Sequence, residues 1–365
     1  MDYAVTVKCS LFLVLLLAAS HAASQTPQPK LVSQIDLLRF GLQAPPDGSV
    51  SGTEIEVLFL SENRLILLSS PRPFIADSYA KQLFSIDVAT GSIVRSLTLV
   101  PNQWGDIRNW AQLQRVSNDE FALAHFTGIT FCKANLESKQ GPQLVGPFQF
   151  APDGSHFVIG PPLPPRQTGK QWREYDQALN QLGSYPEDSH AQMLTGIHGT
   201  FFATPSQLRY YSTNHPSGIT IRSDVSPVSL ALVGLDSVAY LSNKSNQLEV
   251  VNSTGTELYR VDLHAITSKL PWNTHLISSA SGKLFGAEWT ANSKLQLLNP
   301  FACIDECPIA ALQYFVVFSS ADGKLVHSFE WDPRPWNLYV IPALSPDGTM
   351  AAVVQGGFLK VYAFK

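Results

Sequence analysis

The sequence is poor in charge. Only 15% of its 365 residues are Asp, Glu, Lys or Arg, and 25 basic residues face 29 acidic ones for a net charge of −4. A protein held to nucleic acid through phosphates needs a basic excess, so that class is excluded. Long apolar runs are missing too. The run from Leu11 to Ala19 is nine residues, against roughly twenty for a membrane-spanning helix, so no membrane insertion is expected once it is removed. Cysteine is scarce, at four residues, and no second pair of Cys or His ligands accompanies Cys303 and Cys307 at the spacing of a structural zinc site. Local catalytic signatures are absent as well: there is no His-Glu-x-x-His, no Gly-x-Ser-x-Gly elbow, no phosphate-binding Gly-rich loop before Lys-Ser/Thr, no calcium loop and no Cys-x-x-Cys-His. No metal site and no cofactor is assigned.

What remains is apolar and rich in turn formers. Hydrophobic residues make up 45% of the chain, with 20 Phe, 11 Tyr and 7 Trp, enough apolar area to offset chain ordering and exclude a disordered protein. The 25 Pro and 23 Gly punctuate short apolar segments, which points to strands and turns.

The N-terminus reads as a targeting segment. Leu11 to Ala19 follows a start charged by Lys8, and Ser20-His21-Ala22 puts small residues at both positions a signal peptidase reads. Residues 1–22 are therefore expected to be cleaved and 23–29 to form a short linker, leaving a secreted or periplasmic chain. In such a compartment Cys303 and Cys307 are expected to pair as a disulfide, with Cys132 alone. Asn243-Lys244-Ser245 and Asn252-Ser253-Thr254 are glycosylation acceptors if the producing cell is eukaryotic.

Internal repetition organises the rest. Phe150-Ala151-Pro152-Asp153-Gly154-Ser155-His156-Phe157 and Leu344-Ser345-Pro346-Asp347-Gly348-Thr349-Met350-Ala351 share a strand, a Pro-Asp-Gly turn and a second apolar strand. Proline presets the turn's φ and glycine takes the positive φ. Looser copies stand before Leu65, Phe121, Val238 and Leu284, and 198–211 can supply a seventh or complete the third. A second hairpin recurs at Phe84 to Leu97, Val316 to Phe329 and Leu248 to Val261, aligned on Gly91, Gly323 and Gly255. The two hairpins make a four-stranded antiparallel unit, and the spacing of about 40 to 50 residues is that of propeller blades. The fold class is therefore all-β: a single β-propeller of four-stranded blades over 30–365, seven blades favoured over six. The last blade shows three strands of its own, so Lys30 to Leu37 is expected to complete it and close the ring.

These Pro-Asp-Gly strand pairs resemble the WD-repeat-like propellers of exported proteins, such as the TolB-type and YVTN-type families. The resemblance implies an exported propeller. Strict WD repeats end each unit in Trp-Asp, which occurs here only at Trp331-Asp332.

One stretch interrupts the pattern. After Gly160-Pro161-Pro162-Leu163-Pro164-Pro165, the residues Trp172, Tyr175, Leu179 and Leu182 recur on one face of a helix, predicting a Pro-rich and helical insertion at about 161–195. An amphipathic stripe ordinarily marks burial, so packing on its own blades is weighed first and a lid or docking surface second. Glu187, Asp188, His190 and His198 follow as loop groups that could line a binding site, although their spacing matches no metal site. Trp104, Trp110, Trp272 and Trp336 lie in connections where rings either cap blade ends or stack on a ligand. The function expected is a monomeric exported binding or scaffold protein without catalysis, engaging a protein, peptide or glycan partner through its rim or axial face. The alternative is a propeller hydrolase or lyase with a metal or acid–base pair at the axis.

Overall fold

A computed structural model of the chain describes residues 29–40, 55–69, 81–99, 111–125, 128–141, 146–161, 171–186, 191–223, 225, 227–242, 247–266, 272–292, 311–331 and 340–364. They form seven four-stranded antiparallel sheets. Six are built from consecutive strands, and blades 1 to 6 begin with Ile55–Ser61, Ala111–Arg115, Phe148–Phe150, Gln192–Thr195, Pro227–Val233 and Trp272–Ser278. Blade 7 takes Ala343–Leu344, Met350–Gln355 and Phe358–Ala363 from the C-terminal end and its outermost strand, Lys30–Asp36, from the N-terminal end. That strand pairs antiparallel with Phe358–Ala363, from Lys30 opposite Ala363 to Asp36 opposite Phe358. The first strands of neighbouring blades touch one another around the ring. The protein is an all-β, seven-bladed propeller closed by its own N-terminal strand.

The sequence makes blades because short apolar strands alternate with turns that only particular residues can make. In the Pro152-Asp153-Gly154 turn, the Gly154 amide donates to Ala151 at 2.8 Å and Asp153 accepts from the Ser155 amide at 3.0 Å. The Pro346-Asp347-Gly348 turn repeats this, with Gly348 donating to Ser345 at 2.9 Å and Asp347 accepting from the Thr349 amide at 2.9 Å. Gly154 and Gly348 have φ of +72° and +80°, a region that side chains disfavour. The seventh such turn is Gly196-Ile197-His198-Gly199, where Gly196 donates to Gly199 at 2.8 Å.

These turns also join blade to blade. Arg115 of blade 2 donates through Nε to the Leu60 carbonyl of blade 1 at 3.0 Å and through Nη1 to the Pro152 carbonyl of blade 3 at 2.8 Å. Ser281 of blade 6 donates its amide to Pro346 of blade 7 at 2.7 Å, and Asp347 donates its amide to Glu62 of blade 1 at 2.9 Å. Gly154 lies so close to blade 2 that a Cβ would sit 2.0 Å from the Val116 carbonyl oxygen.

Seven apolar cores fill the ring, one between each pair of adjacent blades. Alternate residues of one strand serve different cores. In blade 5, Val238 and Tyr240 pack toward blade 4 while Ala239 and Leu241 pack toward blade 6. Between blades 3 and 4, Trp172 meets Phe202 edge-on at 5.2 Å and Phe202 meets Tyr211 at 5.6 Å.

Two expectations are corrected here. The helix expected over 171–182 is not formed: Trp172–Asp176 and Gln181–Tyr185 are the third and fourth strands of blade 3. Trp172 faces blade 4 and Tyr175 faces blade 2, both buried, whereas Leu179 and Leu182 are exposed. A blade buried on both faces carries apolar residues at odd and even positions, so Trp172 and Tyr175 serve different cores, and Leu179, in the hairpin turn with φ of +67°, falls into helical spacing with them by coincidence. The disulfide is also not found: no pair of cysteines stands at bonding distance among the described residues, where Cys132 is free and buried. Cys303 and Cys307 lie outside the described residues, as do most of the Pro-rich stretch and residues 1–28.

Two outcomes follow from this packing. Phe202→Ala is expected to cost about 3–5 kcal/mol and Gly154→Ala more than about 1 kcal/mol, both read as lowered midpoints in urea unfolding. Burial pushes the Cys132 thiol up to about 12, so iodoacetamide followed by peptide mapping should label Cys132 only after denaturation.

Candidate functional site

The first strand of each blade leaves one edge without a sheet neighbour, and its unpaired amides need acceptors. Side chains from the preceding blade supply them. Glu56 of blade 1 accepts from the Leu113 amide of blade 2 at 2.9 Å. Gln114 of blade 2 accepts from the Phe150 amide of blade 3 at 2.9 Å and donates to the Phe148 carbonyl at 2.6 Å. Gln149 of blade 3 accepts from the Thr195 amide of blade 4 at 2.9 Å, and Ser229 of blade 5 accepts from the Leu276 amide of blade 6 at 2.8 Å. The same strands thus present carboxamides toward the ring's middle.

There they line an axial cavity of about 470 Å³, bordered by Gln112, Gln114, Gln149 and Gln192 and by apolar Phe148, Met193 and Leu230, with no ionisable side chain among the described residues of its wall. It opens where the first strands of blades 2 to 5 begin. A wall of neutral amides and apolar groups can hydrogen-bond an uncharged ligand.

A second cavity, of about 520 Å³, lies on the opposite face among the turns of blades 3, 4 and 5. Its floor is the buried edge of blade 3: His156 Nε2 stands 3.5 Å from Glu174 Oε1, and the Tyr185 hydroxyl donates a short hydrogen bond to Glu174 Oε2. Burial, with Glu174 alongside, raises the Tyr185 phenol well above its ordinary value, so it stays protonated and donates. At the mouth, His198 Nε2 is 4.0 Å from Asp236 Oδ1, both half-exposed.

Of the sequence-expected binding residues, His198 lines this second cavity, while Trp172 is a core residue whose edge borders the axial one. Tyr175 stacks on Phe157 at 5.6 Å within the core. Glu187, Asp188 and His190 lie outside the described residues, as do Trp104, Trp110 and Trp336. The sequence reading missed the axial glutamines and the cluster of His156, Glu174 and Tyr185. The glutamines carried a faint signal, Gln112-x-Gln114 on an alternating strand. The cluster carried none, because its members come from three strands and meet only through register.

No protein-family model matches the chain, and no curated protein matches it. Among solved structures it is similar to a chain of a mitotic checkpoint complex, at 13% identity and a TM-score of 0.53 over 93% of this chain and 97% of that one. It is similar to the β-propeller domain of Myceliophteria thermophila Cps50 (Swd1), at 12% identity and 0.54 over 92% and 100%. It is also similar to an oligogalacturonate lyase in complex with manganese, at 12% and 0.50 over 85% and 88%. What is shared is the propeller fold. Among the described residues, no group of three or more His, Cys, Asp or Glu side chains converges to hold a metal ion, and no helix is long and apolar enough to cross a membrane.

Among the described residues, the carboxyl group that burial makes a clearly weaker acid borders neither cavity. Glu288 of blade 6 is buried, accepts from Gln313 Nε2 at 2.9 Å, and is pushed by burial to about 7. Its ionisation is easier in the unfolded chain, so its contribution favours folding at low pH and is lost as pH rises from about 4.5 to about 7. Glu288→Gln keeps an acceptor for Gln313 and removes the charge. The stability difference should move in the variant's favour by up to about 3 kcal/mol between pH of about 4 and about 8, measured by urea unfolding across that range; a pH-independent difference would contradict the assignment.

Proposed function

We propose that this chain is an exported, monomeric binding protein that holds a partner, a protein, peptide or glycan, at its axial face without transforming it. The observation that carries the reading is the wall of the axial cavity, in which carboxamides and apolar side chains stand together and, among the described residues, ionisable groups do not. Amides of this kind match the backbone of an extended peptide or the hydroxyls of a sugar, both neutral and rich in donors and acceptors. The targeting segment at 1–22 and the resemblance to TolB-type and YVTN-type propellers support export. The fold supports holding rather than chemistry only through this wall, since propellers host many functions on one architecture. The hydrolase or lyase alternative asks for an acid–base pair or a metal at the axis, and the groups that border the axial cavity suit neither.

The test uses the chain from residue 23 on peptide and glycan arrays, with thermal unfolding as a control for the fold. Gln112→Ala combined with Gln192→Ala should reduce capture at least about tenfold, the equivalent of about 1.4 kcal/mol of lost hydrogen bonding. Unfolding with and without chelator should superimpose. Capture that survives the double variant, or chelator-sensitive cleavage of an arrayed glycan, would turn the assignment to the enzyme.

A further inference from the structure

The second cavity carries an imbalance that its own residues do not resolve. Ser155 Oγ donates its only proton to Asp153 Oδ1 at 2.7 Å. The same oxygen lies 2.9 Å from His156 Nδ1, and having spent its proton it can only accept there. His156 therefore carries hydrogen on Nδ1, and in the neutral imidazole Nε2 is a bare lone pair. That lone pair belongs to a residue 7% exposed, has no hydrogen-bond partner, and faces Glu174 Oε1 at 3.5 Å. Two acceptors thus oppose each other at the floor of the cavity with no proton between them, an arrangement that costs free energy until a donor joins them.

The surrounding charge says what kind of donor. Glu174 and Asp236 both line the cavity together with His198 and His215, and among the described residues no Lys or Arg does. Glu174's other oxygen is occupied by the Tyr185 hydroxyl, so Oε1 is the one turned toward His156. Tyr185 and Tyr210 also border the cavity, with their rings packed in the cores behind it. A metal ion would require at least three converging protein ligands, and none converge here among the described residues. The space, about 520 Å³, is that of a small organic ligand or an inserted side chain.

We propose that the cavity among blades 3, 4 and 5 binds an organic cation of the guanidinium type, whose N–H groups join His156 Nε2 to Glu174 Oε1 while Asp236 at the mouth faces its charge. The planar fork of a guanidinium offers parallel donors to neighbouring acceptors, which a compact ammonium does not. The cation comes either as a free small molecule or as an arginine side chain of a partner. This site is separate from the axial cavity and does not depend on the axial reading.

The experiment is calorimetric titration of the chain from residue 23 with acetyl-arginine amide, its neutral isostere acetyl-citrulline amide, agmatine and the peptide acetyl-Gly-Arg-Gly-amide. Arginine amide should bind at least about tenfold more tightly than citrulline amide, because only the former carries the charge that Glu174 and Asp236 meet. Glu174→Gln, which retains an acceptor for Tyr185, should erase that preference; should it unfold the protein, Asp236→Asn at the exposed mouth should still lower arginine-amide affinity about threefold. Tighter binding of the tripeptide than of agmatine assigns the site to a partner's side chain, and the reverse to a free cation. Equal binding of the arginine and citrulline amides, or no binding of either, overturns the proposal.

Discussion

Everything in this molecule rests on the packing of one blade's face against the next. A four-stranded sheet of this composition cannot stand alone, because both faces of its middle strands are apolar and each belongs to a different core. Blade 3 shows the constraint at its plainest: Phe157 and Tyr175 fill the core shared with blade 2, while Val158 and Trp172 fill the one shared with blade 4. A blade is therefore half of two cores and the whole of none. Stability exists only in the ring, and the ring exists only when closed.

Closure is the reason the two ends of the chain meet. Without Lys30–Asp36, blade 7 would expose the edge of Phe358–Ala363, and the core between blades 7 and 1 would lose Ile35. The same logic operates at the middle of the ring, where the free edges of the first strands are capped by Glu56, Gln114, Gln149 and Ser229 rather than by another strand. These side chains serve two ends at once. They satisfy backbone amides that would otherwise be orphaned, and at Gln114 and Gln149 they line the axial cavity with amide groups. The axial cavity is thus a by-product of how the inner edges are satisfied, and its neutrality follows from the choice of glutamine at several of those positions.

Much of the fold was legible because turns are a local matter. Pro152-Asp153-Gly154 and Pro346-Asp347-Gly348 fix their own geometry through a preset φ, an accepting carboxylate and a glycine at positive φ, so their repetition announced the blades. The missing fourth strand of the last blade was legible for the same reason, by counting. Local pattern failed at Trp172 to Leu182, where the two-residue period that reveals a strand depends on one polar face, and a strand buried on both sides has none. The candidate sites were less legible still. His198 could be singled out as a loop imidazole, but His156 sits next to a turn like any other polar residue, and Glu174 reads as a surface charge.

The sequence by itself determined most of the strand and turn units and the pairing of the two ends, and favoured seven blades over six, since each follows from backbone conformations set within a few residues. Only the tertiary structure decided which face of each strand meets which neighbour, and hence that His156, Glu174 and Tyr185 share one wall while the glutamines share another. The physical reason is that side-chain neighbours across a sheet are set by register, and register is fixed by cores that do not exist until all seven blades have closed on one another.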